Sequence, residues 1–256
     1  LLLILAVLWA VPASAQLYPP DIHAGFPNYD YCHAEDLEYR ASAGTLSTSG
    51  EPFWNSSTTA TAANLEEALP YAMANGVTVV GAVRQELGTN AANDAGVRTA
   101  TTLLSLGRGP ISFVFVGREL AVADVTNNFV ERIGLIDGDG APVDGVYFRY
   151  NYNVNGGEWE AVTVDASSET ATDTNVLYAA GTNRTFKIEI NAAGTEALYY
   201  IDGTLVRTET GANLPDATDY TGFGWSATRS AGTAADINPM ALDYIRGRLV
   251  FTTPRC

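Results

Sequence analysis

Short β-strand patterns separated by turn residues follow one another from Gly76 to the end of the chain. Residues 186–190 alternate strictly between apolar and polar side chains, and two further β-rich runs, 198–201 and 204–207, are joined by Asp202-Gly203. An Asp-Gly pair between two such runs favours a type I′ hairpin, because both central residues of that turn need positive φ. Many short strands with almost no helical periodicity predict an all-β protein, folded as a two-sheet antiparallel sandwich.

The segment before these strands has a different composition. Residues 16–62 are rich in Pro, Gly, Ser and Thr and show no sustained period, so we expect an irregular N-terminal lead-in followed by a β-sandwich domain over residues 63–256. One short helix is predicted at Asn64, which can cap it, with two glutamates in the first turn and Pro70 as its limit.

The first residues of the chain have the pattern of a secretory signal. Residues 1–11 are uncharged and apolar, and Pro12 leads into an Ala-Ser-Ala cleavage pattern over residues 13–15. Such a run is too short to span a bilayer, which takes about 20 residues. We therefore expect a signal peptide over residues 1–15 and a secreted protein, extracellular or at the cell surface, with no membrane span. In that oxidising compartment Cys32 and Cys256 can form a disulfide.

The charge balance limits the class of partner. The chain has 29 acidic and 14 basic residues and a formal net charge of −15. A protein this acidic repels nucleic acids and anionic membranes, so neither is an expected partner. Divalent cations are compatible with it, although solubility alone also explains the charge.

Several strand and turn segments resemble the concanavalin A-like, laminin G-like jelly roll, in the versions found in uncharacterised bacterial and phage-associated proteins. The resemblance covers roughly residues 75–250 and rests on residues 145–150, 159–163, 180–182, 186–191 and 200–206. It implies a jelly-roll sandwich. The superfamily contains lectins, adhesion modules, virion surface proteins and glycoside hydrolases, so the fold does not fix the function.

No established catalytic motif occurs in the predicted strands. Glu158 and Glu160 project from one face of a strand beside Trp159, about 6.5–7 Å apart, and two neighbouring carboxylates could divide acid and base roles. A solvated strand face explains the same residues. The two histidines, His23 and His33, lie in the lead-in, which leaves no base for a Ser-His-Asp arrangement. Enzymatic activity is therefore disfavoured.

Two groups of residues are candidate metal ligands. Asp137, Asp139 and Asp144 offer oxygen ligands in a glycine-rich segment, which suits calcium, although Asp-Gly pairs are also ordinary turn residues. The second group, around His23, Cys32 and His33, contains ligands for zinc, but its spacing matches no standard zinc motif. The expected cofactor is none or calcium.

A sugar-binding surface needs aromatic rings with polar groups beside them, and sandwich cores use the same aromatic residues. The candidate ligand-binding residues are Tyr147, Arg149, Tyr150, Tyr152, Trp159 and Trp225.

The favoured function is a secreted, non-catalytic binding module, glycan-binding or adhesive. The alternative is a structural surface protein of a cell envelope or virion that assembles as a homo-oligomer. A glycoside-cleaving enzyme that uses Glu158 and Glu160 is the least favoured. Convergence of these two glutamates with Tyr150 and Trp225 on one groove would favour glycan binding, and their dispersal would favour the structural role.

Overall fold

The computed structural model describes residues 83–87, 94–99, 104–138, 140–211, 213–231 and 237–252, and the backbone of five short strands before them. The described part contains one turn of 3₁₀ helix, Asn155–Gly157. Its strands are β1 (Ala34–Arg40), β2 (Trp54–Thr58), β3 (Asn64–Glu67), β4 (Tyr71–Ala72), β5 (Thr78–Val79), β6 (Val83–Glu86), β7 (Asp94–Thr99), β8 (Ile111–Glu119), β9 (Asn128–Ile136), β10 (Gly145–Asn151), β11 (Glu158–Asp165), β12 (Ser168–Leu177), β13 (Asn183–Ile190), β14 (Glu196–Ile201), β15 (Thr204–Thr210), β16 (Gly222–Ala231) and β17 (Met240–Val250).

Two antiparallel sheets contain all of these strands except β4 and β5, which pair with each other. The eight-stranded sheet has the order β15-β14-β13-β8-β17-β6-β3, and β1 also pairs with β17. The seven-stranded sheet has the order β12-β11-β10-β9-β16-β7-β2. The predicted all-β, two-sheet sandwich is confirmed.

The core lies between the two sheets and is rich in aromatic side chains. In β8, buried and half-buried residues alternate along the strand, as expected when one face of a sheet is covered. Phe186 of the eight-stranded sheet packs against Phe148 of the other sheet with ring centroids 5.1 Å apart, and Phe115 packs in the same way against Trp225 at 5.6 Å. These contacts join the sheets and thereby define an inner face on each.

The hairpin at Asp202-Gly203 forms as predicted. Ile201 and Thr204 are register partners at the ends of β14 and β15, and the two loop residues have φ of 51° and 78°. The Asp202 carboxylate also accepts hydrogen bonds from the Thr185 backbone N–H at 2.9 Å and from Arg184 Nη1 at 2.8 Å. The turn is therefore fixed by its backbone conformation and by its side chain.

The helix predicted at Asn64 is wrong, because Asn64–Glu67 is strand β3, which pairs antiparallel with β6. Strand pairing has overridden a local capping signal here. Two strands of the predicted lead-in, β1 and β2, pair with β17 and β7. No helix in the described part of the chain is long and apolar enough to cross a membrane.

Residues 1–33 lie outside the described residues, and so does the C-terminal cysteine. The signal peptide, the Cys32–Cys256 disulfide and the zinc ligands His23, Cys32 and His33 therefore stay predictions.

Candidate functional site

Three of the predicted ligand-binding aromatic residues are core residues. Tyr150, Trp159 and Trp225 are 0% exposed and lie on the inner face of the seven-stranded sheet. The prediction must be corrected for these three, because rings packed between two sheets cannot contact a ligand at the surface. Glu158 and Glu160 lie on the opposite face of the sheet, so the four residues tested for convergence do not form one groove.

The other two predicted tyrosines differ from each other in exposure. Tyr147 lies on the outer face of the seven-stranded sheet, the face turned away from the eight-stranded sheet, but is only 1% exposed. It belongs to a small apolar cluster with Ile136, Val162 and Val164, and burial raises the pKa of its hydroxyl to about 12. Tyr152 follows β10 in a loop and is 37% exposed. It is the predicted aromatic residue that a ligand can reach.

The two candidate catalytic glutamates have different surroundings. Glu160 is 2% exposed, and its Oε2 accepts from Arg149 Nε at 2.7 Å while its Oε1 accepts from Asn155 Nδ2 at 2.9 Å. Glu158 lies beside Asp173, and a hydrogen bond between these carboxyl groups raises the pKa of Glu158, as do burial and charge repulsion to a smaller extent. Both oxygens of Glu160 are bound by side-chain donors. Glu160 is therefore not a free carboxylate that could exchange a proton alongside Glu158.

Arg149 is the centre of an ion-pair network on the outer face. It is the register partner of Glu160, and its Nη1 lies 2.8 Å from Glu169 Oε2. The guanidinium is 15% exposed, and both carboxylates act to raise its pKa, although burial opposes them. Arg149, Glu160, Glu169 and Asn155, hereafter the Arg149 network, are polar groups held in fixed positions by one another.

The loop between β10 and β11 carries Asn155 and the exposed Tyr152. Asn155, Gly156 and Gly157 have φ of 50°, 66° and 88°, three consecutive residues in the left-handed region. Backbone hydrogen bonds from Val154 N–H to Asn151 O and from Gly157 N–H to Val154 O close the loop. The loop is therefore ordered by its own backbone and attached to the outer face by the Asn155–Glu160 bond.

Two buried glutamates on the inner faces were not singled out from the sequence. Glu119 of β8 and Glu131 of β9 are both 0% exposed and accept hydrogen bonds from the indoles of Trp159 and Trp225, respectively. Burial raises the pKa of both, and far more for Glu131, whose Oε2 has no hydrogen-bond partner among the described residues. Glu119 also accepts from the Ala179 N–H at 2.7 Å. Both glutamates are structural partners of the buried tryptophans.

Of the predicted calcium ligands, Asp137 accepts the Val143 N–H at 3.1 Å and also the Asp144 N–H, which is turn chemistry, and Asp139 lies outside the described residues. Asp144 instead meets Asp165 and Asp219, with one oxygen of each within 4.8 Å of the others, a spacing that could hold one cation.

Asp165 and Asp219 were not singled out from the sequence, because the end of β11 and two separate loops bring the three carboxylates together. Burial raises the pKa of Asp165, and so do the hydrogen bond and charge of Asp219.

Solved structures with the same fold include several that are similar over most of their length. Protein SO2946 from Shewanella oneidensis MR-1, described as a protein of unknown function, is 13% identical, with a TM-score of 0.66 over 88% of this chain and 90% of that chain. The carbohydrate recognition domain of Emp47p is 11% identical, with a TM-score of 0.54 over 86% and 98%. An endo-1,3-beta-glucanase from Streptomyces sioyaensis is 12% identical, with a TM-score of 0.55 over 85% and 97%.

At these identities the likenesses show the fold, which is the concanavalin A-like jelly roll that the sequence resembles. No curated protein matches the chain in sequence. The family model described as SO2946-like, C-terminal domain, matches residues 78–243, which is more than half of the chain. The chain therefore belongs to the family of SO2946-like C-terminal domains.

Proposed function

We propose that this protein is a non-catalytic carbohydrate-binding module that binds its glycan at the Arg149 network and Tyr152. The observation that carries the proposal is the Asn155–Glu160 hydrogen bond, which joins the loop of the exposed Tyr152 to a set of fixed polar side chains. A sugar needs an aromatic face for its apolar side and oriented donors and acceptors for its hydroxyls. Both are present at this end of β10 and β11.

Preorganisation supports the proposal. The ion pairs hold Arg149, Glu160 and Glu169 in place before a ligand arrives, and the left-handed run at 155–157 fixes the loop. A ligand that meets ordered side chains avoids the entropic cost of ordering them. Two of the proteins with the same fold also act on or recognise carbohydrates, as the Emp47p domain and the glucanase do by name.

The setting of this activity is also a proposal. The signal-peptide pattern of residues 1–15 and the charge of −15 support export and an extracellular or cell-surface location. Glycans of cell surfaces and of extracellular material are the ligands that an exported module of this kind meets.

A glycan array with the full chain tests the proposal, together with the variants Tyr152→Ala and Asn155→Gly. Glycine keeps the left-handed backbone of position 155 and removes only the amide that contacts Glu160. We expect each variant to lower the affinity for the bound glycans about tenfold, which corresponds to about 1.4 kcal/mol.

The matched control is Tyr220→Ala. Tyr220 is a 51% exposed tyrosine just before β16, whose first residue shares a register row with the first residue of β10, so it lies at the opposite end of the sheet from Tyr152. Its loss should leave affinity unchanged. Absence of glycan binding, or an equal effect of Tyr220→Ala, contradicts the proposal. The array is repeated in EDTA and should be unchanged, because the acidic cluster lies with Tyr220 at the other end of the sheet.

A further inference from the structure

The loop between β8 and β9, residues 120–127, exposes two apolar side chains. Val122 is 47% exposed and Val125 is 81% exposed, and Asp124 is the only charged residue of the loop. Single exposed valines are ordinary at a protein surface, so their surroundings decide what these two can do.

Hydrogen bonds to the rest of the domain fix the first half of this loop. The N–H groups of Leu120 and Ala121 donate to the Pro239 carbonyl at 2.8 Å and 3.3 Å, respectively. The Ala123 N–H donates to the hydroxyl of the buried Tyr150 at 3.1 Å. The exposed residue between Ala121 and Ala123 is therefore held by anchored neighbours on both sides.

A tight turn forms the second half of the loop. Asp124 Oδ1 accepts the N–H groups of Thr126 at 2.7 Å and of Asn127 at 2.6 Å, and the Asp124 N–H donates to the Asn127 carbonyl at 3.1 Å. Asp124 is thereby used as a turn residue. Val125 lies at the exposed corner of this turn.

These bonds account for every amide of the loop except two. The N–H groups of Val122 and Val125 have no acceptor among the described residues. Each exposed valine therefore presents an apolar side chain and a free backbone donor side by side, and both are fixed in place before a ligand arrives.

The loop borders the exposed ring of Tyr152. A Cβ atom placed on Gly157 would lie 4.0 Å from Cδ2 of Tyr152 and 4.0 Å from the hydroxyl of Tyr150. That hydroxyl is also the acceptor of the Ala123 N–H, in the residue that follows Val122. The aromatic ring and the exposed valine are therefore neighbours, since both border the Tyr150 hydroxyl.

We propose that this loop binds the acetamido group of the glycan, so that the sugar at Tyr152 is an N-acetylhexosamine. The inference rests on the proposed function and names the class of its ligand. An acetamido group has a methyl for the side chain of Val122 and a carbonyl oxygen that can accept the free N–H of the same residue. A hydroxyl in its place makes no apolar contact with the valine.

The chemistry of the loop disfavours other substituents. A 6-deoxy sugar brings a methyl group but no acceptor for the free amide beside it. A carboxylate or sulfate finds no basic side chain in residues 120–127, and Asp124 repels it. The acetamido group is the common sugar substituent that uses both features of the exposed valine.

The test measures affinities of the full chain by isothermal titration with matched oligosaccharides. Two pairs differ only at C2 of the terminal sugar, N-acetylglucosamine against glucose and N-acetylgalactosamine against galactose, and a fifth probe ends in fucose, a 6-deoxy sugar. We expect the acetamido member of at least one pair to bind about tenfold more tightly than its partner, because one methyl in an apolar contact discriminates by that factor or more. The fucose probe should bind no better than the hydroxyl members.

The variant Val122→Thr replaces one methyl by a hydroxyl at an exposed position and keeps the β-branched shape. It should reduce the acetamido preference several-fold. The matched control is Val143→Thr, because Val143 is also 47% exposed but precedes β10, at the opposite end of that strand from Tyr152. The control should leave the preference within twofold of the native value.

The possible results separate this inference from the proposed function. Equal affinity within both pairs overturns the acetamido inference and leaves glycan binding intact. Tightest binding of the fucose probe, or an unchanged preference in Val122→Thr, overturns it as well. Silence with all five probes overturns the inference, and silence on the glycan array in addition overturns the proposed function.

Discussion

The two faces of the seven-stranded sheet use the same strands for opposite chemistry. On the inner face, Tyr150 and Trp159 are cross-strand partners in the core, with ring centroids 6.0 Å apart. On the outer face, Arg149 and Glu160 are also cross-strand partners, joined by a 2.7 Å ion pair. Each outer residue is the chain neighbour of an inner one, so one step along the strand exchanges core packing for a polar surface.

This difference separates the residues that should control folding from those that should control binding. Tyr150, Trp159 and Trp225, which the sequence suggested as sugar-contacting residues, are core residues on the inner face. The polar groups of the proposed binding site, Arg149 and Asn155, belong to the outer face and the loop attached to it. Substitutions on the inner face should therefore change the free energy of unfolding, and most on the outer face should change affinity.

Removal of an inner-face tryptophan should have the largest effect on stability. Trp159→Ala would leave a cavity beside Phe186, whose ring centroid lies 4.6 Å away, and would take a donor from Glu119 Oε1 at 2.8 Å. We expect the free energy of unfolding to fall by about 3–5 kcal/mol, as measured by urea denaturation at pH 7. Glycan affinity of the protein that remains folded should be unchanged.

The outer-face counterpart of this variant is Tyr152→Ala. Tyr152 is 37% exposed, so its loss should change stability by no more than about 0.5 kcal/mol while it lowers affinity. Equal stability losses in the two variants would show that the two faces do not divide folding and binding in this way.

The Arg149 network is the exception on the outer face, because Glu160 is buried there. Arg149→Met would leave the Glu160 carboxylate, 2% exposed, with Asn155 as its remaining described donor. Loss of one member of a buried ion pair should cost about 3 kcal/mol, measured by the same denaturation experiment. The double variant with Glu160→Gln should recover part of that loss. A single variant as stable as the native protein would mean that the pair adds nothing.

The sequence alone was sufficient for much of the fold, for local reasons. The Asp202-Gly203 turn depends on the φ preferences of two residues, and the alternation in β10 separates Tyr147, Arg149 and Asn151 from Phe148 and Tyr150. Local patterns do not show which of those two sets faces the second sheet, since that depends on a partner strand far away in the chain. Tyr150 was misassigned as a ligand-binding residue for this reason.

The candidate site was harder to predict, because its groups come from separate strands and loops. Arg149 and Glu160 lie on different strands, and only the register of β10 with β11 shows that they are cross-strand partners. A sequence does not show which charges are paired.

The two buried glutamates of the inner faces should respond in opposite ways to the same substitution. Glu131 accepts one donor, from Trp225, and its Oε2 has no partner among the described residues, so Glu131→Gln should raise stability at pH 7 by about 1–2 kcal/mol. Glu119 accepts from Trp159 and from the Ala179 N–H with different oxygens. Glu119→Gln should lower stability by about 1–3 kcal/mol, because its amide NH₂ would face one of those donors.

The pH dependence of the free energy of unfolding gives a second test of Glu131. Burial raises the pKa of Glu131 well above the ordinary value of 4.5 for glutamate. From pH 4.5 up to that raised pKa the folded protein keeps a proton that the unfolded chain releases, so stability falls as the pH rises. Urea denaturation between pH 4 and pH 9 should show a shallower fall in Glu131→Gln. An unchanged slope would mean that Glu131 does not carry this proton.

The smallest effect is expected at the acidic cluster, outside both faces. Burial, together with Asp219, raises the pKa of Asp165 above its ordinary value of 3.8, so the charged form is disfavoured in the folded protein at neutral pH. Asp165→Asn should therefore stabilise the protein by less than about 0.5 kcal/mol in EDTA at pH 7, and the gain should vanish as the pH falls below 3.8.

Asp216→Asn is the matched control in the same region of the chain. The pKa of Asp216 is lowered because its Oδ1 accepts the Thr218 hydroxyl at 2.6 Å and the Thr218 N–H at 2.5 Å. Its charged form is favoured in the folded protein, so the same substitution should destabilise at pH 7, and that loss should shrink as the pH falls below 3.8. Effects of equal sign in the two variants would show that charge repulsion does not govern the cluster.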